Sequence, residues 1–126
     1  MNLKKLEIRA QIDTPYISLD PLTGICEISG KSYPEDISSF YMQVIDWFEE
    51  YSYEGECDLV LNIRLSYFNS ASQKVYTEIF EKLMEQKKFK ITVNWYYTKE
   101  DDEILENGKI YEALTGLEFN YIVYTY

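Results

Sequence analysis

The spacing of apolar residues changes several times along the chain, and each change marks an element. Leu59, Leu61, Ile63 and Leu65 alternate with Val60, Asn62 and Arg64, a period of two that puts successive side chains on opposite faces of a strand. Thr14–Leu19 and Ile25–Ser29 read as two more strands. The Asp20-Pro21-Leu22-Thr23-Gly24 stretch between them has the composition of a tight turn, so the pair forms a hairpin. Gly30 and Pro34 end it. Phe40, Tyr41, Val44, Ile45 and Phe48 then recur at spacings of three and four, the stripe of an amphipathic helix, with Asp36 or Ser38 as its cap and Gly55 as its end. A second helix runs from about Ala71 to Gln86, with Val75, Ile79, Phe80, Leu83 and Met84 inward. Phe89–Tyr97 is a strand with Ile91, Val93 and Trp95 on one face. Glu100-Asp101-Asp102-Glu103 places negative charge at the start of a third helix, where the helix dipole favours it. Ile104, Leu105, Tyr111 and Leu114 face inward there, Gly108 is a weak point, and Gly116 is the stop. Phe119–Thr125 supplies a last strand.

Helices that separate strands require crossover connections, and these make the strands parallel. The expected fold is α/β: a mixed central β-sheet with an N-terminal hairpin and about three helices, in a single domain spanning 1–126. The length of 126 residues fits one domain with its own core. No glycine-rich phosphate loop follows any strand, so a P-loop or dinucleotide fingerprint is absent.

Composition removes many chemistries. Twelve Lys and Arg face 22 Asp and Glu, there is no histidine, and the formal charge is −10. Without histidine there is no Ser-His-Asp or Cys-His catalysis and no His-ligated metal. A surface this acidic repels phosphate backbones and anionic lipid, so neither nucleic acid nor membrane is an expected partner. The N-terminal residues lack the pattern of a signal peptide, and no apolar run approaches the ~20 residues of a membrane span. Cys26 and Cys57, without CxxC spacing, read as buried reduced thiols of a cytoplasmic protein. Glu100–Glu103 lacks the ligand spacing and mid-loop glycine of a calcium loop. No metal, cofactor or enzymatic activity is expected.

The informative stretch is Tyr67-Phe68-Asn69-Ser70-Ala71-Ser72-Gln73, between a strand and a helix. Ser70 and Gln73 have the spacing of a capping box, which makes Ser70 the expected N-cap. The same position is exposed at a sheet edge, and a helix N-terminus accommodates an anion. A phosphate there adds about −1.5 to −2 charges without unfolding the helix.

Four blocks now carry a resemblance: Thr14-Pro15-Tyr16-Ile17, Gly30-Lys31-Ser32-Tyr33-Pro34-Glu35, Tyr67-Phe68-Asn69-Ser70-Ala71-Ser72, and Trp95-Tyr96-Tyr97 with its acidic run. In this order and spacing the chain resembles the SiaC family of bacterial regulatory phosphoproteins, whose fold is similar to STAS domains and anti-sigma-factor antagonists. The resemblance implies a partner switch. Family members are phosphorylated on the hydroxyl residue after the Asn of the Tyr-Phe-Asn block by an anti-sigma-factor-type kinase, and a PP2C-type phosphatase reverses this. In the best-understood branch the unphosphorylated form activates a diguanylate cyclase, which raises cyclic-di-GMP and favours biofilm growth. The matching residue is Ser70, with Ser72 as second candidate. The family usually has threonine where this chain has Ser70, and often serine where it has Ala71.

Thirteen tyrosines are a second signal, since tyrosine is enriched at interface hot spots. Tyr33, Tyr67, Tyr96, Tyr97 and Tyr111 are candidates for a partner-binding face with Asn69 and Ser72; the competing reading makes most tyrosines core. Two other functions compete with the switch. One is a constitutive protein–protein adaptor in which Ser70 is only a helix cap, and the other is a small carboxylate hydrolase.

Overall fold

A computed structural model describes residues 2–125. The elements are β1 (Leu6–Ile8), β2 (Tyr16–Leu19), β3 (Ile25–Ser32), α1 (Ile37–Glu54), β4 (Leu59–Phe68), α2 (Ser70–Glu85), β5 (Ile91–Thr98), α3 (Asp102–Thr115) and β6 (Glu118–Tyr124). The strands form one sheet in sequence order, β1-β2-β3-β4-β5-β6. The β1–β2 and β2–β3 pairs are antiparallel, and the other three pairs are parallel. The mixed sheet, the hairpin and the helices are those expected from the alternating pattern. The sequence reading missed β1, a three-residue strand too short to display a period.

Successive crossovers that step the same way keep their helices on one side. Burial follows that geometry: Leu59, Leu61, Ile63 and Leu65 of β4 are sealed under the helices, whereas Val60, Asn62 and Arg64 are not. The core joins this inner face to Tyr41, Val44, Trp47, Phe48 and Tyr51 of α1 and to Val75, Tyr76, Ile79, Phe80 and Leu83 of α2. On the outer face, Asn94 donates to Asn62 at 2.8 Å and Asn120 donates to Asn94 at 3.1 Å, an amide ladder across three parallel strands.

Several local expectations need correction. Met84 and Leu114 lie on the solvent side, Leu114 with 60% exposure, because each falls beyond the stripe its helix presents to the sheet. Cys57 is half-buried rather than buried, and its thiol donates to the Leu22 carbonyl oxygen at 3.3 Å. Gly108 is a packing requirement and not a weak point. A Cβ there would lie 2.6 Å from Trp95 Cδ1, so the missing side chain lets α3 close on the indole, whose N–H donates to the Ile104 carbonyl oxygen at 2.8 Å. Among the described residues no helix is long and apolar enough to cross a membrane.

Candidate functional site

The site is assembled where β3 and β4 end and α2 begins. The parallel register of these strands slips there: Gly30 lies opposite Leu65, but Lys31 lies opposite Tyr67. Ser66 is therefore the extra residue of a bulge, and an inserted residue reverses the alternation beyond it. Leu65 and Phe68 both enter the core, while Tyr67 turns to solvent with 51% exposure. It meets Tyr33 edge to face at 5.9 Å, and Tyr33 is itself 38% exposed. The bulge thus converts one tyrosine of an otherwise buried strand end into half of a surface pair.

The helix start differs from the expected capping box. Asn69, not Ser70, is the N-cap: its side-chain oxygen accepts from the Ser72 amide at 2.9 Å. Gln73 donates its side-chain amide to the Phe68 carbonyl oxygen at 3.2 Å instead of reaching the Ser70 amide. Asparagine caps a helix as well as serine does, and here it precedes the serine by one position. Ser70 is therefore the first helical residue. It is exposed, and its hydroxyl has no hydrogen-bond partner among the described residues.

Ser72 is the opposite case. It has no exposure, and its hydroxyl donates to the Ser32 carbonyl oxygen at 3.1 Å and lies 2.7 Å from Ser32 Oγ. Two residues along a helix turn the side chain through about 200°, from solvent to core. Burial thus corrects two expectations for Ser72, as second modification candidate and as surface contact. Asn69 is half-buried, and its amide donates to the Ser32 carbonyl oxygen at 3.0 Å, so it builds the site from beneath. Tyr111 leaves the set of surface tyrosines too: it is buried, and its hydroxyl donates to the Gln73 carbonyl oxygen at 2.8 Å. Burial raises its pKa, which keeps the phenol neutral.

Tyr96 and Tyr97 are not brought to the Tyr33–Tyr67 pair. Adjacent residues of a strand face opposite ways. Tyr97 packs half-buried against the core, and Tyr96 stands on the outer sheet face in a shallow depression with Glu27, Asn62 and Arg64. Arg64 lies over the Tyr124 ring at 5.6 Å.

Sequence reasoning missed a groove beside Ser70. Ser70, Lys74 and Thr77 of α2 form one wall and Asn107 and Ile110 of α3 the other, around a volume of about 270 Å³. Ile110 is 49% exposed. Facing walls from two helices leave no trace in linear spacing.

A one-sided mixed sheet with an exposed hydroxyl at its β4–α2 junction defines a class of small αβ domain whose candidate site lies on the surface. The chain matches the family model described as SiaC family regulatory phosphoprotein over residues 8–124, and it belongs to that family. It is 32% identical over 106 residues to the uncharacterized protein PA14_02130 of Pseudomonas aeruginosa (strain UCBPP-PA14), covering 82% of this chain and 84% of that one. The fold is similar to apo-SiaC from Pseudomonas aeruginosa at a TM-score of 0.84 and 26% identity, covering 95% and 99% of the two chains. It is also similar, at a TM-score of 0.85 and 27% identity over 94% and 99%, to a chain in the crystal structure of the diguanylate cyclase SiaD in complex with its activator SiaC from the same organism.

Proposed function

We propose that this chain is a non-enzymatic, cytoplasmic partner-switch protein whose unphosphorylated form binds and regulates a diguanylate cyclase. In this reading an anti-sigma-factor-type kinase phosphorylates Ser70, and a PP2C-type phosphatase restores it. The observation that carries the reading is the division of labour at the helix start. Asn69 holds the cap, Ser72 is buried, and Ser70 stands exposed with an unoccupied hydroxyl. The cap is Asn69, which leaves the Ser70 hydroxyl without the structural task that the adaptor alternative assigns to it, and this supports the switch reading. Membership of the SiaC family and the similarity to a chain that accompanies a cyclase support the choice of partner.

The physical action is electrostatic. The first turn of α2 holds no acidic residue, so a phosphate on Ser70 meets a favourable helix dipole and the fold tolerates it. The partner meets something different: a dianion on the wall of the α2–α3 groove, three residues along the chain from Tyr67, on a protein already at −10. An uncompensated charge in a desolvated contact costs several kcal/mol, and ~3 kcal/mol lowers affinity more than a hundredfold. The test is pull-down of the cyclase with wild type, Ser70→Ala and Ser70→Asp. Ser70→Ala is expected to bind like the unmodified protein and Ser70→Asp to bind much more weakly; equal binding by both variants counts against the mechanism. Intact-mass analysis of the protein from its native cells is expected to show a species one phosphate heavier, mapped to Ser70.

A further inference from the structure

Ser32 and Ser72 are the two polar side chains with no exposure at all among the described residues outside the tyrosines, and they bond to each other beneath the turn that carries Ser70. From Ser32 Oγ the chain of hydroxyls continues to Tyr41 at 2.6 Å and from Tyr41 to Tyr76 at 3.0 Å. Proton accounting gives it a direction. Ser72 donates to the Ser32 carbonyl oxygen, so its own oxygen accepts from Ser32 Oγ. Ser32 Oγ then accepts from Tyr41, and Tyr41 accepts from Tyr76. Every proton is used, and the series contains no charged group. Burial raises the pKa of both Tyr41 and Tyr76, which keeps them donors.

Replacing such a set with apolar side chains of similar shape is nearly neutral for stability, so stability alone does not account for four buried hydroxyls in one place. Their placement does. The Ser32 carbonyl oxygen accepts from both the Asn69 amide and the Ser72 hydroxyl, so the first turn of α2 is tied at both ends to the last residue of β3. Helix ends fray, and a fraying first turn would scatter the Ser70 hydroxyl over many directions. Transfer of a phosphoryl group requires the acceptor oxygen to be held in line with the donor.

We propose that Ser72, supported by Ser32, is a positioning residue for modification of Ser70: it locks the first turn of α2 onto β3 so that the neighbouring hydroxyl is presented in one orientation. The proposal rests on the reading of Ser70 as the modified residue. The test is the initial rate of phosphate incorporation into Ser70 from ATP in an extract of the native cells, measured over a range of substrate-protein concentrations. Ser72→Ala, Ser32→Ala, Tyr41→Phe and Tyr76→Phe each delete one hydroxyl of the series. Ser72→Ala is expected to lower the maximal rate at least fivefold with the half-saturating concentration unchanged. It is also expected to speed amide exchange of residues 70–73 at least tenfold, with Ser32→Ala intermediate. Tyr41→Phe and Tyr76→Phe are expected to leave rate and local exchange within twofold despite a similar fall in Tm. Effects that merely follow Tm in all four variants, or a Ser72→Ala rate equal to wild type, overturn the proposal. Absence of phosphate on wild-type Ser70 instead refutes the underlying reading, a result distinct from a modified wild type with an indifferent Ser72→Ala.

Discussion

Helices α2 and α3 begin at the ends of neighbouring parallel strands and are capped alike. Asn69 accepts from the Ser72 amide at 2.9 Å, and Asp101 accepts from the Ile104 amide at 3.0 Å. Their charges differ. The α3 start has Asp101 as cap and Asp102 and Glu103 in its first turn, whereas the α2 start has a neutral cap and no acid. An acidic chain has saturated one helix N-terminus with its own carboxylates and left the adjacent one open. The positive end of a helix dipole is satisfied either by residues written into the sequence or by charge that arrives later. The bare α2 start is therefore the one where an added phosphate changes the surface most and harms the fold least. The second contrast is in anchoring: α3 is seated by Gly108 closing on Trp95, and α2 by hydrogen bonds to the end of β3.

The largest expected effect breaks both helices at once. Burial raises the pKa of Tyr76 in α2 and Tyr111 in α3 above the ordinary 10.0. It also pushes Cys26 from 9.0 up to about 12. Groups whose folded pKa is raised stabilise fully below their unfolded pKa, and this contribution is lost as pH rises toward the folded value. Tm is thus expected to be flat through neutral pH, to decline from about pH 9, and to fall steeply above about pH 10, as calorimetry across that range will show.

Gly108→Ala comes next and separates the two anchors. On an exposed helix this change stabilises by up to ~1 kcal/mol, but the new Cβ would meet the Trp95 indole at 2.6 Å. Overpacking of that kind costs ~1–3 kcal/mol. Urea denaturation should show the loss, with α3 displaced and the α2 start intact.

Cap deletion compares the two starts directly. Asn69→Ala and Asp101→Ala should each cost ~1 kcal/mol. Added salt should weaken the effect of Asp101→Ala and leave that of Asn69→Ala, because only the former removes a charge. The smallest effect sharpens the charge contrast: Ser70→Asp should stabilise by ~0.5 kcal/mol and Asp102→Ser should destabilise by a similar amount. Equal and opposite shifts in the denaturation midpoint would confirm that the two helix starts differ in occupancy rather than in geometry.

Much of this was legible in one dimension. The period-two run of β4 gave both its faces, and the acidic run announced the start of α3, because neighbours in a strand or first turn are neighbours in sequence. The candidate site was legible only as a short segment. The identity of its cap was not, since asparagine and serine in adjacent positions both suit the role, and the choice depends on which of them meets the end of β3. Nor was the fate of the tyrosines, whose amphipathic side chain suits a core, an interface or a sheet face equally.

The sequence by itself determined the order of elements from β2 onward, the acidic charge and the residues carrying the resemblance, since periodicity, ionisation and local motifs are properties of the chain. Tertiary structure alone decided that Ser72, two residues on from the exposed Ser70, closes a buried hydroxyl series with Ser32, Tyr41 and Tyr76. It alone turned Tyr67 outward through the Ser66 bulge and fitted Gly108 to Trp95. Those outcomes depend on what packs against a residue from elsewhere in the chain, and side-chain volumes and hydrogen-bond partners meet only when the sheet and its helices close.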